Sequence, residues 1–307
     1  MNPSMLRQLK KAAGSNSLLD RPEDLVLYEY DAGVEKSLPS AVVFGENTQQ
    51  ISRVMRFCAE HKIPVVPRGA GTGLSGGAIA LGHSVVLSTA RMNKVLEVDL
   101  PNLRAVVQPG VVNLELSNHV VKHGVYYAPD PSSQRACTIG GNVAENSGGP
   151  HTLALGVTVN HVTGVEIVLP DGRIAEFGGK AQDAPGLDLT GFFVGSEGTL
   201  GVTTKITVKL TKLPESVATL LAIYNTVEDA ANTVVAITQS GITPAALEML
   251  DGWLLRAVEA AVHAGYPLDS AAVLLIELEG MKETVEEQAD AVNRVCLQQG
   301  AREVRRA

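Results

Sequence analysis

Cysteine, aromatic residues and long apolar runs are all scarce in this chain of 307 residues. None of its three cysteines (Cys58, Cys137 and Cys296) belongs to a CxxC pair, so the sequence carries no recognisable iron–sulfur or zinc framework. No apolar run reaches the roughly 20 residues that a membrane-spanning helix needs. The basic residues near the N-terminus are not followed by the apolar run of a signal peptide. We therefore expect a cytoplasmic protein.

Basic residues are in the minority, because 25 Lys and Arg stand against 33 Asp and Glu and give a formal net charge of −8. An acidic surface repels a phosphate backbone, so nucleic acid is not an expected partner. Glycine, by contrast, is abundant. Many of the 30 glycines fall into three clusters, at 69–77, 138–149 and 195–201. Clustered glycine is typical of backbone that passes close to a ligand.

Short strands and helices alternate in the first two thirds of the chain. Two apolar runs flank Pro170-Asp-Gly172, which predicts a β-hairpin. The runs at 84–88, 95–98 and 105–107 are expected to form an antiparallel meander. Apolar, β-branched runs predict further strands at 40–44, 63–67 and 202–210.

The pattern changes after Pro214. Strands and helices then follow in the order β-α-β, an inserted helix, and β-α-β, which is a ferredoxin-like arrangement. Its last strand, at 302–306, is expected to be cut short, so that its arginines lie on an element that cannot dock. We therefore predict an α+β fold in two parts, a first domain at 1–214 and a truncated second domain at 215–307.

The sequence of the first glycine cluster fits the consensus of two unrelated motifs. The Gly-x-Gly-x-x-Gly that starts at Gly71 fits the fingerprint of NAD-linked dehydrogenases, and the Gly-x-Ser-x-Gly that starts at Gly73 fits the nucleophile elbow of serine hydrolases. Both motifs need a helix directly after the loop, whereas the next strand is predicted near Ser84. A P-loop is excluded because Ala78, and not lysine, follows the last glycine. An NAD-dependent dehydrogenase stays open as a less favoured alternative.

The composition of this loop favours the binding of a pyrophosphate by its backbone. Five glycines among residues 69–77 leave backbone N–H groups uncovered, and such a concave run can hold a pyrophosphate without a helix. Arg68 adds a permanent positive charge at the entrance of the loop. The alternative is a flexible surface loop, although a bound ligand could offset the cost of ordering five glycines.

Two further glycine clusters complete an ordered set. The second is Cys137-Thr-Ile-Gly-Gly-Asn-Val-Ala-Glu-Asn-Ser-Gly-Gly149, and the third is Gly195-Ser-Glu-Gly-Thr-Leu-Gly-Val202. Over residues 37–214 this set resembles the FAD-binding domain of the vanillyl-alcohol-oxidase or p-cresol-methylhydroxylase type. Within that superfamily the chain resembles the FAD subunits of bacterial glycolate oxidases and the D-lactate dehydrogenases. The second domain then corresponds to part of the substrate, or cap, domain.

The resemblance implies three groups of FAD-binding residues. The pyrophosphate would lie against Arg68, Gly69, Ala70, Gly71, Thr72, Gly73, Leu74, Ser75, Gly76 and Gly77. The ribityl chain and flavin ring would lie against Pro131, Ser132, Thr138, Ile139, Gly140, Gly141, Asn142, Asn146 and Gly149. The adenine side would be closed by Glu197, Gly201 and Val202.

Some members of the superfamily link the flavin covalently to a histidine of the first loop. Thr72 stands at the position of that histidine here. A threonine hydroxyl cannot form the histidyl bond, so the resemblance implies that FAD is non-covalent at this loop.

The resemblance also implies an activity for the complete protein: FAD-dependent oxidation of a small D-2-hydroxy acid, glycolate or D-lactate, to the 2-oxo acid. A hydride would pass from C2 to the flavin, a basic group would take the hydroxyl proton, and the electrons would leave to a partner or a quinone. Iron–sulfur and second flavin-type subunits are the expected partners, and they could hold the protein at the inner membrane. The alternative is a non-catalytic FAD-binding fragment.

The catalytic residues stay unassigned. In this superfamily the second half of the cap supplies an arginine for the substrate carboxylate and a histidine cluster that acts as a base or binds a divalent metal. We expect no metal site within this chain and little activity from the chain alone, because its seven histidines do not show that arrangement. They are His61, His83, His119, His123, His151, His161 and His263.

Overall fold

The chain forms two units. The computed structural model describes residues 1–14, 16–181 and 186–306. Unit 1 consists of Met1–Gly148 and Val157–Lys212, and unit 2 of Gly149–Gly156 and Leu213–Ala307. The change of unit after Lys212 lies close to the change of sequence pattern near Pro214. The sequence gives no sign that the segment Gly149–Gly156 packs with the second unit.

A mainly parallel sheet forms the first part of unit 1. The elements here are α1 (Pro3–Ala13), β1 (Leu18–Leu19), α2 (Pro22–Leu25), a short 3-10 helix (Val26–Tyr28), β2 (Ala41–Phe44), α3 (Thr48–Glu60), β3 (Val65–Arg68) and β4 (Val85–Ser88). The strands lie in the order β1-β2-β4-β3, with β2, β4 and β3 parallel. Short β-branched runs account for these strands, because such side chains fit a pleated, buried surface.

β4 corrects one expectation from the sequence. The run at 84–88 is predicted as the first strand of an antiparallel meander, but β4 lies between two parallel neighbours. All four residues of β4 are buried, as is usual for a parallel sheet covered on both faces. The prediction was wrong for this strand because a short apolar run does not show which sheet it joins.

The second sheet of unit 1 is antiparallel. The elements that follow are β5 (Val95–Asp99), β6 (Arg104–Val107), α4 (Asn113–Val120), a short 3-10 helix (Val121–His123), β7 (Val125–Tyr126), α5 (Ile139–Glu145), α6 (Thr152–Leu155), α7 (Thr158–His161), β8 (Val162–Val168), β9 (Ile174–Gly178), α8 (Leu189–Phe193), β10 (Val202–Lys209) and β11 (Thr211–Lys212). The strand order is β5-β6-β10-β8-β9, and β7 pairs separately with β11. The hairpin of β8 and β9 is confirmed at its predicted turn, where Gly172 has a φ of +84°. α6 belongs to unit 2.

Two apolar cores support the loops of unit 1. One joins the parallel sheet to α1 and α3 and includes Ile51 and Leu87. The other covers the antiparallel sheet and includes Leu116, Ile139 and Ile206. All five side chains are fully buried, and burial of such a side chain contributes about 1.5–3 kcal/mol. The glycine clusters are therefore attached to a well-packed frame.

Unit 2 has the predicted ferredoxin-like order. The elements are β12 (Ser216–Tyr224), α9 (Val227–Gln239), β13 (Ala246–Asp251), α10 (Gly252–Val262), β14 (Ala272–Gly280), α11 (Lys282–Gln298) and β15 (Glu303–Arg306). The antiparallel sheet has the order β13-β14-β12-β15. Within the described ranges, no helix has both the length and the apolar character needed to cross a membrane.

The last strand docks, in contrast to the expectation from the sequence. β15 pairs with β12 in an antiparallel ladder. Arg302 forms an ion pair with Asp269 at 2.9 Å, and Arg306 forms one with Glu286 at 2.6 Å. The expectation was wrong because the four residues of β15 are enough to extend the sheet along β12.

Candidate functional site

A cavity of about 360 Å³ opens in unit 1 where the three glycine clusters meet. Most of its lining comes from residues 67–78, 137–147 and 196–203. The first of these segments leaves the carboxyl end of β3, and the second contains α5. The volume falls within the roughly 300–1,000 Å³ that is typical of small-molecule sites.

Arg68, the last residue of β3, forms the base of the first loop. Its side chain is buried, and its Nη1 donates a hydrogen bond to the carbonyl oxygen of Ala78 at 3.3 Å. The guanidinium also lies 5.7 Å from the centroid of the Tyr28 ring. Burial lowers the pKa of the Arg68 guanidinium, and the charge of Asp31 opposes that effect. Because a guanidinium is never deprotonated in proteins, Arg68 stays a cation at neutral pH.

Gly71 lies where the loop bends over this arginine. Its φ is +71°, a left-handed conformation that favours glycine. A Cβ at this position would also overlap the Arg68 guanidinium. Gly73 differs, because its φ is not in the left-handed range and a Cβ there would meet no described atom within 4 Å. The absence of a side chain at Gly73 therefore keeps the cavity open, and the backbone conformation does not require glycine there.

The backbone of this loop has hydrogen-bond donors, unpaired within the described part of the chain, at residues that line the cavity. Residues 70–75 all line it. Among the residues that the structure describes, their backbone N–H groups donate no hydrogen bond. Clustered N–H groups of this kind suit phosphate oxygens, because they place partial positive charges around one concave space.

The second glycine cluster packs directly against the first. Thr138 caps α5, since its Oγ1 accepts a hydrogen bond from the Gly141 N–H at 3.3 Å. A Cβ on Gly69 would lie only 2.5 Å from the same Thr138 Oγ1. Likewise, a Cβ on Gly140 would lie 2.5 Å from the Pro109 Cβ. The absence of side chains at these positions therefore lets the backbone segments meet around the cavity.

Two carboxylates border the loop at Gly77. A Cβ on Gly77 would lie 3.2 Å from Glu145 Oε1 and 3.9 Å from Glu197 Oε2. Burial raises the pKa of the Glu145 carboxyl, and the charges of Glu197 and Asp31 raise it further. Carboxylates accept hydrogen bonds from hydroxyl groups and repel phosphates. This part of the cavity therefore suits the sugar of a nucleotide better than its phosphates.

Most of the predicted binding residues line this one cavity. They are Arg68, Gly69, Ala70, Gly71, Thr72, Gly73, Leu74, Ser75, Gly77, Thr138, Gly140, Gly141, Asn142, Glu197, Gly201 and Val202. The side chain of Asn142 has another partner, because its Nδ2 donates to Asn113 Oδ1 at 2.8 Å. That bond anchors α5 to α4.

Six predicted residues lie outside the lining of the cavity: Gly76, Pro131, Ser132, Ile139, Asn146 and Gly149. Ile139 is fully buried in the apolar core. The Oδ1 of Asn146 accepts a hydrogen bond from the Val159 N–H at 2.9 Å, and Gly149 belongs to unit 2. Contact of any of the predicted residues with FAD, inside or outside the lining, stays a prediction.

Ser196 is a cavity residue that the sequence did not reveal. Its Oγ is buried and has no hydrogen-bond partner among the described residues. Leaving a buried hydroxyl without a partner costs roughly 1–3 kcal/mol, which a bound polar group would offset. The other lining residues that the sequence missed are Pro67, Ala78, Thr89, Pro109, Ser133, Cys137, Ala144, Glu145, Ser147, Phe193, Gly198 and Thr203. Many adjoin a predicted residue in sequence, whereas Thr89 and Pro109 reach the cavity only through the fold.

The structure of the segment after the first loop rules out two of the motifs that the loop sequence matches. Residues 69–84 are all described, and they contain turns and bends but no helix before β4. The dinucleotide fingerprint and the nucleophile elbow both require a helix at this point. The alternative of an NAD-dependent dehydrogenase built on this loop is therefore wrong.

Comparisons with known proteins identify the family. The FAD binding domain family matches residues 39–178, and the C-terminal domain family of FAD linked oxidases matches residues 213–307. The glycolate oxidase subunit GlcD of Escherichia coli (strain K12) is 45% identical over 305 residues, which cover 99% of this chain and 61% of that protein. The chain belongs to the FAD-linked oxidases. A D-lactate dehydrogenase of Anaerostipes hadrus is 33% identical over 313 residues, which cover 99% of this chain and 66% of that protein.

Solved structures support the fold of this FAD-linked oxidase. A p-cresol methylhydroxylase matches with a TM-score of 0.82 at 20% identity, over 99% of this chain and 65% of that one. An alkyldihydroxyacetonephosphate synthase matches with a TM-score of 0.85 at 22% identity, over 100% of this chain and 60% of that one. The predicted fold is thus confirmed as a p-cresol-methylhydroxylase-type FAD-binding domain followed by a C-terminal α+β domain. The chain spans about three fifths of the length of its GlcD relatives.

Proposed function

We propose that unit 1 of this FAD-linked oxidase binds FAD in the cavity without a covalent link. The observation that carries the proposal is the set of backbone N–H groups at residues 70–75, which line the cavity, have no partner among the described residues and follow the buried Arg68 in the chain. Pyrophosphate oxygens would accept hydrogen bonds from this set, and the guanidinium would add positive charge. The carboxylates of Glu145 and Glu197 would accept hydrogen bonds from sugar hydroxyls, and Ser196 would offer its buried hydroxyl.

The non-covalent link rests on Thr72. This residue lines the cavity within the same loop. Its hydroxyl is no substitute for a histidine nitrogen in a bond to the flavin. Denaturation in acid should therefore release all of the flavin from the precipitated protein.

The protein is further proposed to oxidise a small D-2-hydroxy acid to the 2-oxo acid. The support comes from relatives that are named a glycolate oxidase subunit and a D-lactate dehydrogenase. Bound FAD supplies an acceptor for the hydride from C2 of the acid. The residues of unit 1 hold that acceptor in place, and a base must remove the hydroxyl proton. The electrons then pass to a quinone or to partner subunits of the iron–sulfur and flavin type.

A titration tests the cofactor proposal. The purified 307-residue chain is freed of flavin and titrated with FAD, with NAD⁺ as the comparison ligand. We expect one FAD per chain, seen as a change in flavin fluorescence, and no saturable binding of NAD⁺. After acid precipitation the yellow colour should appear in the supernatant. Colour that stays in the pellet would refute the non-covalent link, and failure to bind FAD would refute the proposal.

A complementation experiment tests the oxidation. The FAD-loaded chain is mixed anaerobically with excess glycolate or D-lactate, alone and after co-expression with the remaining part of a GlcD relative. We expect bleaching of the visible flavin absorbance only with the complementing part. Rapid bleaching by the chain alone would place the catalytic groups within residues 1–307. No bleaching in either case would favour the alternative function, a non-catalytic FAD-binding module.

A further inference from the structure

Unit 2 contains a compact group of three metal-ligating side chains, His151, Glu277 and Glu279. The Nε2 atom of His151 lies 3.0 Å from Glu277 Oε1 and 3.6 Å from Glu279 Oε1. One ligand atom from each residue lies within 4.8 Å of the other two. Among the described residues, no other three histidine, cysteine or acidic side chains come this close together.

The fold brings these residues together from distant parts of the sequence. Glu277 and Glu279 are two apart on β14, so they lie on the same face of the sheet. The alternate residues Ile276 and Leu278 are buried in the core that faces α9 and α11. His151 is the N-cap residue of α6, which packs against the neighbouring strand β13. The imidazole thus meets two carboxylates on the face of the sheet opposite to α9 and α11.

The environment of the group favours a bound cation. The three side chains are only 20–28% exposed, so water screens their charges less than at an open surface. Two carboxylates on one strand face repel each other, and a divalent ion would neutralise both.

We propose that His151, Glu277 and Glu279 bind a divalent transition metal ion of the zinc type. One imidazole nitrogen and two carboxylate oxygens form a mixed donor set that suits zinc and its neighbours better than calcium or magnesium, which prefer oxygen ligands alone. Three protein ligands leave one or more coordination positions open, as in zinc sites that bind water or a substrate oxygen. The proposal is independent of FAD binding, because the ligands belong to unit 2 and the glycine-lined cavity to unit 1.

The sequence offered little sign of this group. His151 and Glu277 are 126 positions apart, and a lone histidine after a glycine cluster is not a recognised metal motif. The expectation that the chain holds no metal site compared its histidines only with the histidine cluster of the superfamily.

Glu248 provides a matched control on the same sheet face. It lies on β13 directly opposite Leu275, and Leu275 shares its face of β14 with Glu277. Glu248 is exposed and is not one of the three clustered ligands. Glu248→Gln therefore removes the same charge from the same face while it leaves the proposed ligands intact.

A Co²⁺ titration of the full chain tests the proposal, because the visible absorption of Co²⁺ reports its coordination. We expect one Co²⁺ per chain in the wild type and in Glu248→Gln, displaced by one Zn²⁺. Loss of a ligand in His151→Ala, Glu277→Gln or Glu279→Gln should weaken binding at least about tenfold, since even partners outside the first coordination sphere contribute that much. Zn²⁺ should raise the unfolding temperature of the wild type and of Glu248→Gln but not of Glu277→Gln.

Two outcomes would overturn the metal site. One is a wild-type chain that shows no stoichiometric Co²⁺ or Zn²⁺ binding below about 100 µM, which is weak for a three-ligand site; the group would then be a hydrogen-bonded histidine–carboxylate cluster. The other is binding by Glu277→Gln and Glu279→Gln as tight as in the wild type. These glutamine variants keep the size of the side chain, so the test stands even if His151→Ala fails to fold.

Discussion

The guanidinium of Arg68 occupies the space that a Cβ at Gly71 would need. The same guanidinium donates a hydrogen bond to the carbonyl oxygen of Ala78, near the far end of the loop. The shape of the loop and the positive charge of the site therefore depend on each other. Because the intervening residues 70–75 line the cavity, a change at Arg68 or Gly71 should alter the binding of FAD.

Gly71→Val should weaken FAD binding at least about tenfold. A left-handed φ costs an L-residue roughly 1–2 kcal/mol, about a factor of ten in an equilibrium constant, and the added Cβ would also displace the guanidinium. Fluorescence titration with FAD measures the effect. Gly82→Val is the control, because Gly82 is exposed, has no left-handed φ and lies outside the cavity. Unchanged affinity in Gly71→Val would show that this loop is not the site.

Gly73→Val should abolish FAD binding and leave the stability of the FAD-free chain unchanged. The φ of Gly73 is not in the left-handed range, so a side chain there causes no backbone strain. A valine there meets open space in the protein, so the unfolding temperature of the FAD-free chain should stay near that of the wild type. FAD binding should be lost, because the new side chain enters the cavity. Normal FAD binding by a folded Gly73→Val chain would place the cofactor elsewhere.

Arg68→Met should reduce both FAD affinity and stability. The variant removes the buried cation from the neighbourhood of Asp31, whose Oδ2 is buried without a hydrogen-bond partner among the described residues. We expect FAD affinity to fall about tenfold or more, as charged hydrogen-bonding groups at phosphate sites contribute strongly. Arg7→Met, on the exposed face of α1, should change neither property. An Arg68→Met chain as stable and as tightly bound to FAD as the wild type would contradict the electrostatic role of Arg68.

Glu145 should make the FAD-free chain less stable as the pH rises. Its carboxyl has a raised pKa in the folded protein, so the unfolded chain ionises it at lower pH and gains from doing so. This loss of stability should begin near the ordinary pKa of 4.5 and be complete above the folded value. Glu145→Gln should remove that part of the pH dependence and raise the unfolding temperature at pH 7. The exposed Glu35→Gln serves as the control, and equal pH profiles in wild type and Glu145→Gln would contradict the assignment.

The strands and helices that could be predicted from the sequence are those whose ends are marked by local sequence patterns. β8 and β9 were predictable because Pro170-Asp-Gly172 marks their turn, and the strands and helices of unit 2 because polar breaks separate their apolar runs. The partners of β4 and the docking of β15 depend on pairing between distant segments, which local patterns do not encode.

The residues of the candidate site also fall into two groups, those that local sequence patterns predict and those that depend on the fold. The lining glycines from Gly69 to Gly77 were predictable because glycine clusters signal close backbone approach. The buried hydroxyl of Ser196 and the raised pKa of Glu145 arise from burial, which becomes known only once three segments meet. The approach of His151 to β14 depends likewise on the packing of Gly149–Gly156 within unit 2.

Amide hydrogen exchange of residues 70–75, measured with and without FAD, shows whether their N–H groups bind the pyrophosphate. These N–H groups donate no hydrogen bond to other described residues, so they should exchange rapidly in the FAD-free chain. If they bind the pyrophosphate, saturating FAD should slow their exchange by at least about tenfold, while amides of the exposed loop near Gly82 keep their rates. Tight FAD binding with no protection at residues 70–75 would contradict the account.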